Sequence, residues 1–407
     1  MNLNTTFQQD FIIYKILIST PQTLHFASVL FQQKIYVTGL KGEQTLNKLT
    51  KLQFNATNVS QISTFLGATV ITADNKIYGL GSNPNNVFRL DSFFSQPEVI
   101  ESSGTIVKTL IGFSFQSQKY YTISLTSTQQ ILRDFDFDPF FRDSNETVIN
   151  IFTEMGLDFV QTDLNLYFRG ACDEQFCSVG MDGKIIQHYV DNWQKMLLPF
   201  PASSIFRIHL QSNGVLFHLH NKSVFAMGSN IHGRFCLQNE VITPLNSNSS
   251  TNQKRRDLKK MRRSTFVQIP TLVLNDVDYI NLGQFFSVYS QNDSIFVCGS
   301  KSFEFVQDDE FDGAEPTKSK KIFKQIQKIE TVQSGIIVLD AQGAWVSGKS
   351  TEEGFIGVEQ AVGFELIERG VVDVFGGYAG TYFVKEEEPE TQGEETQKDE
   401  NDVKMEL

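Results

Sequence analysis

Short runs of β-branched and aromatic residues, each ending in glycine, recur along the chain. They are Ile35-Tyr36-Val37-Thr38-Gly39, Ile77-Tyr78-Gly79-Leu80-Gly81, Leu166-Tyr167-Phe168-Arg169-Gly170, Val224-Phe225-Ala226-Met227-Gly228, Ile295-Phe296-Val297-Cys298-Gly299 and Ala344-Trp345-Val346-Ser347-Gly348. Runs this short, rich in such residues and bounded by turn formers, predict strands. A second apolar run and a polar turn precede them, as in Ala68-Thr69-Val70-Ile71-Thr72 before Ala73-Asp74-Asn75-Lys76, and Ile336-Ile337-Val338-Leu339 before Asp340-Ala341-Gln342-Gly343. Asp, Asn and Gly tolerate the left-handed dihedrals of tight turns, so each unit is at least a β-hairpin.

The glycines are spaced by 42 residues (39 to 81), 89 (81 to 170), 58, 71 and 49. The gap of 89 holds two units, the hidden one being Ile131-Leu132-Arg133-Asp134-Phe135, where the glycine is lost. A lone hairpin cannot bury its apolar face, so seven units must stack, and a period near 50 suits propeller blades. Stretches with helical periodicity are scarce. The pattern therefore predicts an all-β fold, a seven-bladed β-propeller over 26–384, closed by pairing of N- and C-terminal strands. Residues 376–384 read as the first half of a unit whose second half the 35–39 strand supplies, which removes open sheet edges. Residues 1–25 form a lead-in, within which the apolar run 11–18 is a strand candidate.

Charge refines this picture. The net charge of −12 repels phosphate backbones and argues against a nucleic-acid binder acting through its overall field. An insertion at about 244–265 runs against that average. It carries Lys254, Arg255, Arg256, Lys259, Lys260, Arg262 and Arg263 against a single Asp257, for nuclear import, phosphate binding or plain solvation of a loop. Ser264 and Thr265 follow it like a basic-directed kinase site. Residues 385–407 hold ten acidic and three basic residues and read as a disordered acidic tail.

No apolar run approaches the roughly 20 residues that span a bilayer as a helix, so no membrane contact is expected. Cys172, Cys177, Cys236 and Cys298 form no Cys-x-x-Cys pair and no zinc-like pattern with histidine, and are read as free thiols of an intracellular protein, in cytoplasm or nucleus. No phosphate-binding glycine loop or nucleophile elbow occurs. No catalytic residue, metal or cofactor is expected. Asp134, Asp136 and Asp138 are spaced like calcium ligands, but Pro139 and Asn145 stand where such a loop needs glycine and glutamate. His218 and His220 read as a polar strand face.

Val224-Phe225-Ala226-Met227-Gly228-Ser229-Asn230-Ile231-His232-Gly233-Arg234-Phe235-Cys236-Leu237 resembles the repeat of the regulator-of-chromosome-condensation family, and 77–83 and 170–180 repeat parts of it. Founding members of that family release nucleotide from the small GTPase Ran. The resemblance implies a GTPase-facing aspartate at Asp158, in Gly156-Leu157-Asp158-Phe159. In Gly112-Phe113-Ser114-Phe115, Phe113 stands where the exchange factors carry another aspartate, and Gly283-Gln284-Phe285-Phe286 has phenylalanine where they carry histidine. The family's third-blade wedge falls on 134–143, giving Asp134, Asp136, Asp138, Phe140, Phe141 and Arg142 as candidate partner-binding residues. Alternation along a strand would put the aromatics of this segment on one face and the carboxylates on the other. Residues 1–25 lack the basic character of the family's chromatin-binding tails, and two tryptophans are too few for its light sensors. The reading is a non-catalytic protein-binding platform, with loops after the glycine-ended strands choosing the partner. The alternative is guanine-nucleotide exchange on a Ran-like small GTPase, centred on Asp158 and 134–143.

Overall fold

A computed structural model describes residues 11–14, 27–38, 50–65, 68–81, 94–100, 102–114, 119–142, 145–154, 157–171, 189–211, 214–231, 233–237, 264–283, 286–299, 316–332, 335–349, 360–377 and 380–386. These residues are almost entirely antiparallel strand. They form six four-stranded and two three-stranded sheets, eight in all, against the seven units counted in the sequence.

In chain order, sheet 1 holds Ala27–Phe31, Lys34–Thr38 and Thr50–Lys51. Sheets 2 to 7 each contain four consecutive strands, starting at Val59–Phe65, Ile106–Ser114, Val148–Glu154, Ile205–Gln211, Tyr279–Leu282 and Lys328–Val332. Sheet 8 is built from Val371–Gly377, Gly380–Glu386 and the N-terminal strand Phe11–Tyr14. Phe11 pairs with Glu386 and Tyr14 with Phe383. The strand that joins the two ends of the chain is thus Phe11–Tyr14, inside the expected lead-in, and not the 35–39 strand. The latter pairs within sheet 1, where Ile35 faces Leu30 and Tyr36 faces Lys51.

Each sheet buries both faces against its neighbours. Eight apolar clusters lie between successive sheets, for example Phe159, Phe168, Phe217 and Leu219 between sheets 4 and 5, and Phe286, Ile295, Phe323 and Ile336 between sheets 6 and 7. Tyr36, Tyr382 and Val384 form a smaller one between sheets 8 and 1. Burial on both faces explains why the second strands read as unbroken apolar runs: every residue of Ala68–Ala73, Leu157–Thr162, Gly214–Leu219 and Gly335–Asp340 is buried. From sheet 1 through sheet 8 the first strand of each sheet packs on the first strand of the next, so these strands form one row.

The repeat glycines have a conformational cause. Gly81, Gly170, Gly228, Gly299 and Gly348 all have φ between 86° and 121°, where a β-carbon is strained. Each pairs with the first residue of the preceding strand, so the glycines mark the same end of sheets 2, 4, 5, 6 and 7, here the glycine end. The hairpin turns lie at the opposite end. Asp74-Asn75 and Asn292-Asp293 adopt left-handed dihedrals there, as their residue types predict, and Gln32-Gln33 does so without such a signal.

Candidate partner-binding site

The 134–143 segment is not one alternating strand. The third strand of sheet 3, Ile131–Arg133, turns at Asp134 and Phe135, both at positive φ, into the two-residue strand Asp136–Phe137, and Pro139–Arg142 then makes one helical turn. The turn buries Phe135 between sheets 2 and 3 and lets the Asp134 carboxylate accept a hydrogen bond from the Thr122 amide at 3.0 Å. Asp136, Phe137 and Phe140 are exposed, whereas Asp138 and Phe141 are buried. Aromatics and carboxylates are therefore sorted by the turn and not by strand alternation. The Arg142 side chain lies outside the described residues.

Asp158 is also not a surface group. It is 1 % exposed, on the second strand of sheet 4. Its carboxylate accepts from the Tyr121 hydroxyl at 2.7 Å and from Arg169 Nε at 3.3 Å. The same guanidinium reaches Asp138 through Nη1 at 3.0 Å, and Trp193 Nε1 donates to that carboxylate at 3.0 Å. The guanidinium carbon sits 4.1 Å from the Trp193 ring centroid. Burial and the negative charge of Asp158 hold the Tyr121 hydroxyl well above the ordinary phenol range, so it remains a donor. Two carboxylates, one cation and two neutral donors thus interlock sheets 3 and 4 away from water.

Tyr121, Arg169 and Trp193 were not singled out in the sequence, although signals existed. Arg169 occupies the place before a repeat glycine where the other runs carry Thr38, Leu80, Met227, Cys298 and Ser347. Asp158 is its direct cross-strand partner. Gly112 makes room for Tyr121, since a β-carbon there would lie 2.3 Å from the phenol ring.

Around this cluster the 136–141 segment stands on an aromatic base. Phe141 packs edge-on against Tyr167 and Trp193, at centroid distances of 5.6 and 5.2 Å. The Asp138 carboxylate also accepts from the Phe140 amide at 3.0 Å, which caps the helical turn. Phe137 and Phe140 remain 44 % exposed each. No protein-family model matches the sequence, and no curated protein is recognisably similar to it. Solved structures do match, all by shape. Human WBSCR16 aligns over 92 % of this chain and 98 % of its own, at 11 % identity and a TM-score of 0.59. Saccharomyces cerevisiae Prp20p, described with its binding to Gsp1p and histones, aligns over 92 % and 90 %, at 11 % identity and 0.55. Yeast RCC1 (Prp20) bound to Kap60 aligns over 94 % and 90 %, at 12 % and 0.56.

The chain has the RCC1-like propeller fold. On an RCC1-like propeller the glycine-ended strands lead into the loops expected to choose a partner. Those loops, including Lys254, Arg255, Arg256, Lys259, Lys260, Arg262 and Arg263, lie outside the described residues, as does the acidic tail beyond Glu386. The cysteines depart from expectation. Cys236 and Cys298 form a disulfide that ties the region after the fifth sheet's third strand to the sixth sheet, while Cys172 and Cys177 are outside the described residues. Pairing was invisible in the sequence because 62 residues separate two cysteines that only the fold brings together, one in the turn after the third strand of sheet 5 and one on sheet 6. His218 faces sheet 6, its Nε2 3.1 Å from the Val277 carbonyl, and the Phe206 ring lies beside both His218 and His220. Among the described residues no group of three potential metal ligands converges, and no helix is long and apolar enough to cross a membrane.

Proposed function

We propose that this chain is a non-catalytic protein-binding platform, and that its eight sheets close a ring whose last blade is shared by the two ends of the chain. The cluster between sheets 8 and 1 and the pairing of Phe11–Tyr14 with Gly380–Glu386 support closure.

The observation that carries the platform reading is the fastening of the 136–141 segment. The Asp138 carboxylate, held by Arg169 and Trp193, anchors a helical turn whose Phe140 side chain faces solvent beside Phe137 and Asp136. Exposed aromatics on a rigid base lose little conformational freedom on binding, which favours protein recognition. Asp158, the residue the nucleotide-exchange reading needs at the surface, is engaged in the same buried cluster. Prp20p binds Gsp1p and histones, so a small GTPase remains the alternative partner. Release of labelled GDP from a Ran-like GTPase decides between them. The platform reading expects the spontaneous rate with and without the chain. Acceleration by orders of magnitude, abolished by Asp158→Ala in a still-folded protein, would establish exchange instead.

A further inference from the structure

The first strands of several sheets share one irregularity near the turn end. In sheets 3, 4 and 5 the register skips one residue, so that Ile106 and Lys108, Val148 and Asn150, and Ile205 and Arg207 pair with adjacent partners. Such bulges re-aim side chains. The skipped residues are Val107, Ile149 and Phe206, exposed by 47, 46 and 57 %. A single exposed apolar residue needs no explanation, but the same position on three adjoining strands makes a patch.

The residues that follow two of these bulges are Lys108 and Arg207. Lys108 Nζ donates to the Asn150 side-chain oxygen at 2.9 Å and the Ile151 carbonyl at 2.8 Å, both neutral acceptors. Arg207 is exposed. Among the described residues no carboxylate lies within ion-pair distance of either cation, whereas Lys328 on the seventh sheet pairs with Asp373 at 3.0 Å and Glu330 at 3.3 Å. Burial, together with repulsion from Arg207, lowers the Lys108 ammonium to about 8. In a chain of net charge −12, the half-buried Lys108 and the exposed Arg207, neither within ion-pair distance of a described carboxylate and with Glu330 acting on Arg207 only from a distance, mark a place that can take added negative charge.

We infer that the turn end of sheets 3 to 5 binds an acidic segment of a partner protein, its carboxylates meeting Lys108 and Arg207 and its large apolar side chains covering Val107, Ile149 and Phe206. A nucleic acid fits the cations but not the apolar row, and the overall charge repels it. The inference rests on the platform reading and adds a surface at the opposite end from the loops that follow the repeat glycines.

The test uses the full chain and a fluorescein-labelled peptide of alternating Asp and Leu, read by fluorescence anisotropy at low and high salt. A peptide of alternating Lys and Leu and a labelled oligothymidine serve as competitors in kind. Arg207→Glu, which reverses an exposed charge, is expected to weaken the Asp–Leu peptide by about tenfold at low salt and less at high salt. Phe206→Ser is expected to weaken it by roughly tenfold. Lys76→Glu, a reversal of equal size on sheet 2, should change nothing, and circular dichroism verifies folding. If Arg207→Glu does not fold, Arg207→Gln should still weaken binding by about fivefold or more. No binding of the Asp–Leu peptide, equal binding of the Lys–Leu peptide or oligothymidine, or unchanged affinity in folded Arg207 variants overturns the inference. GDP-release activity would sink the platform reading without touching these titrations, so the two failures are separable.

Discussion

Replacing Arg169 by Met should destabilise the protein more than any single surface change. The guanidinium is 7 % exposed as a side chain, and the carboxylates it joins, Asp138 and Asp158, are 6 and 1 % exposed. Removing one partner of a buried ion pair leaves the other charges in a medium that solvates them poorly, which costs about 3–5 kcal/mol. Trp193 and Tyr121 still donate to the carboxylates, which favours the lower end. Lost stacking on Trp193 adds roughly 1 kcal/mol. Among the described residues Arg169 Nη2 has no hydrogen-bond partner, so the native arrangement already carries a desolvation cost that Met would not. A loss of about 3 kcal/mol is therefore expected, which for a domain of this size lowers Tm by roughly 4 °C. Urea denaturation monitored by tryptophan fluorescence would measure it, since Trp193 is in the cluster. Adding Asp138→Asn and Asp158→Asn to Arg169→Met should restore part of the loss, because the penalty lies in the uncompensated charges. A loss below about 1 kcal/mol, the worth of an exposed pair, would refute the account.

Three further outcomes follow from other residues. Gly112→Ala places a β-carbon 2.3 Å from the Tyr121 ring, so the ring must shift away from Asp158, at a cost of about 1–3 kcal/mol by the same denaturation assay. His209 is lowered to about 3 by burial first, then by Arg207 and His218, with Asn281 opposing. A histidine depressed below its unfolded value contributes fully above pH 6.5, and stability should fall by up to about 1.4 kcal/mol per unit as pH drops from 6.5 toward 3; His209→Asn should flatten that slope in urea titrations at pH 7.5 and 5. Reduction of Cys236–Cys298, which closes a separation of 62 residues, should cost about 4 kcal/mol in the chain-entropy account, and peptide mapping without reductant should recover the linked pair.

Periodicity made the strands legible because each sheet repeats one hairpin, and the glycine that ends it has a backbone duty at positive φ. The number of sheets was not legible, because the eighth is assembled from Val371–Gly377, Gly380–Glu386 and a strand at the far end of the chain. Phe11–Tyr14 carries no turn or glycine signature linking it to residues 380–386, and only the fold brings them together. The candidate site was legible by residue and not by role. Asp138 and Asp158 were read as candidate partner-binding residues, and the structure places both in the buried cluster around Arg169, which looked like one more member of an apolar run. Exposure followed the turn at Asp134 and Phe135, where two non-glycine residues at positive φ broke the alternation on which the strand reading depended.

The residue before the repeat glycine explains both the buried cluster and the disulfide. In this position a side chain enters the layer shared with the preceding sheet: Leu80 joins the cluster between sheets 1 and 2, Met227 that between 4 and 5, and Cys298 that between 5 and 6. An apolar residue there contributes only packing. Arg169 instead captures Asp138 from sheet 3, and Cys298 captures Cys236 from the chain following sheet 5. The scaffold thus confines its strongest inter-sheet ties to one repeat position near the glycine end, where Asp138 in turn holds the exposed 136–141 segment. At the turn end the first strands of sheets 3 and 4, and of sheets 6 and 7, are tied by hydrogen bonds such as those from Lys108 to Asn150 and from Asn281 to the Ile329 carbonyl, and those of sheets 7 and 8 by the ion pair of Lys328 with Asp373. A ligand that supplied carboxylates to Lys108 and Arg207 would add cross-links between sheets 3 and 5, and its binding should raise the melting temperature more in the wild type than in Arg207→Glu.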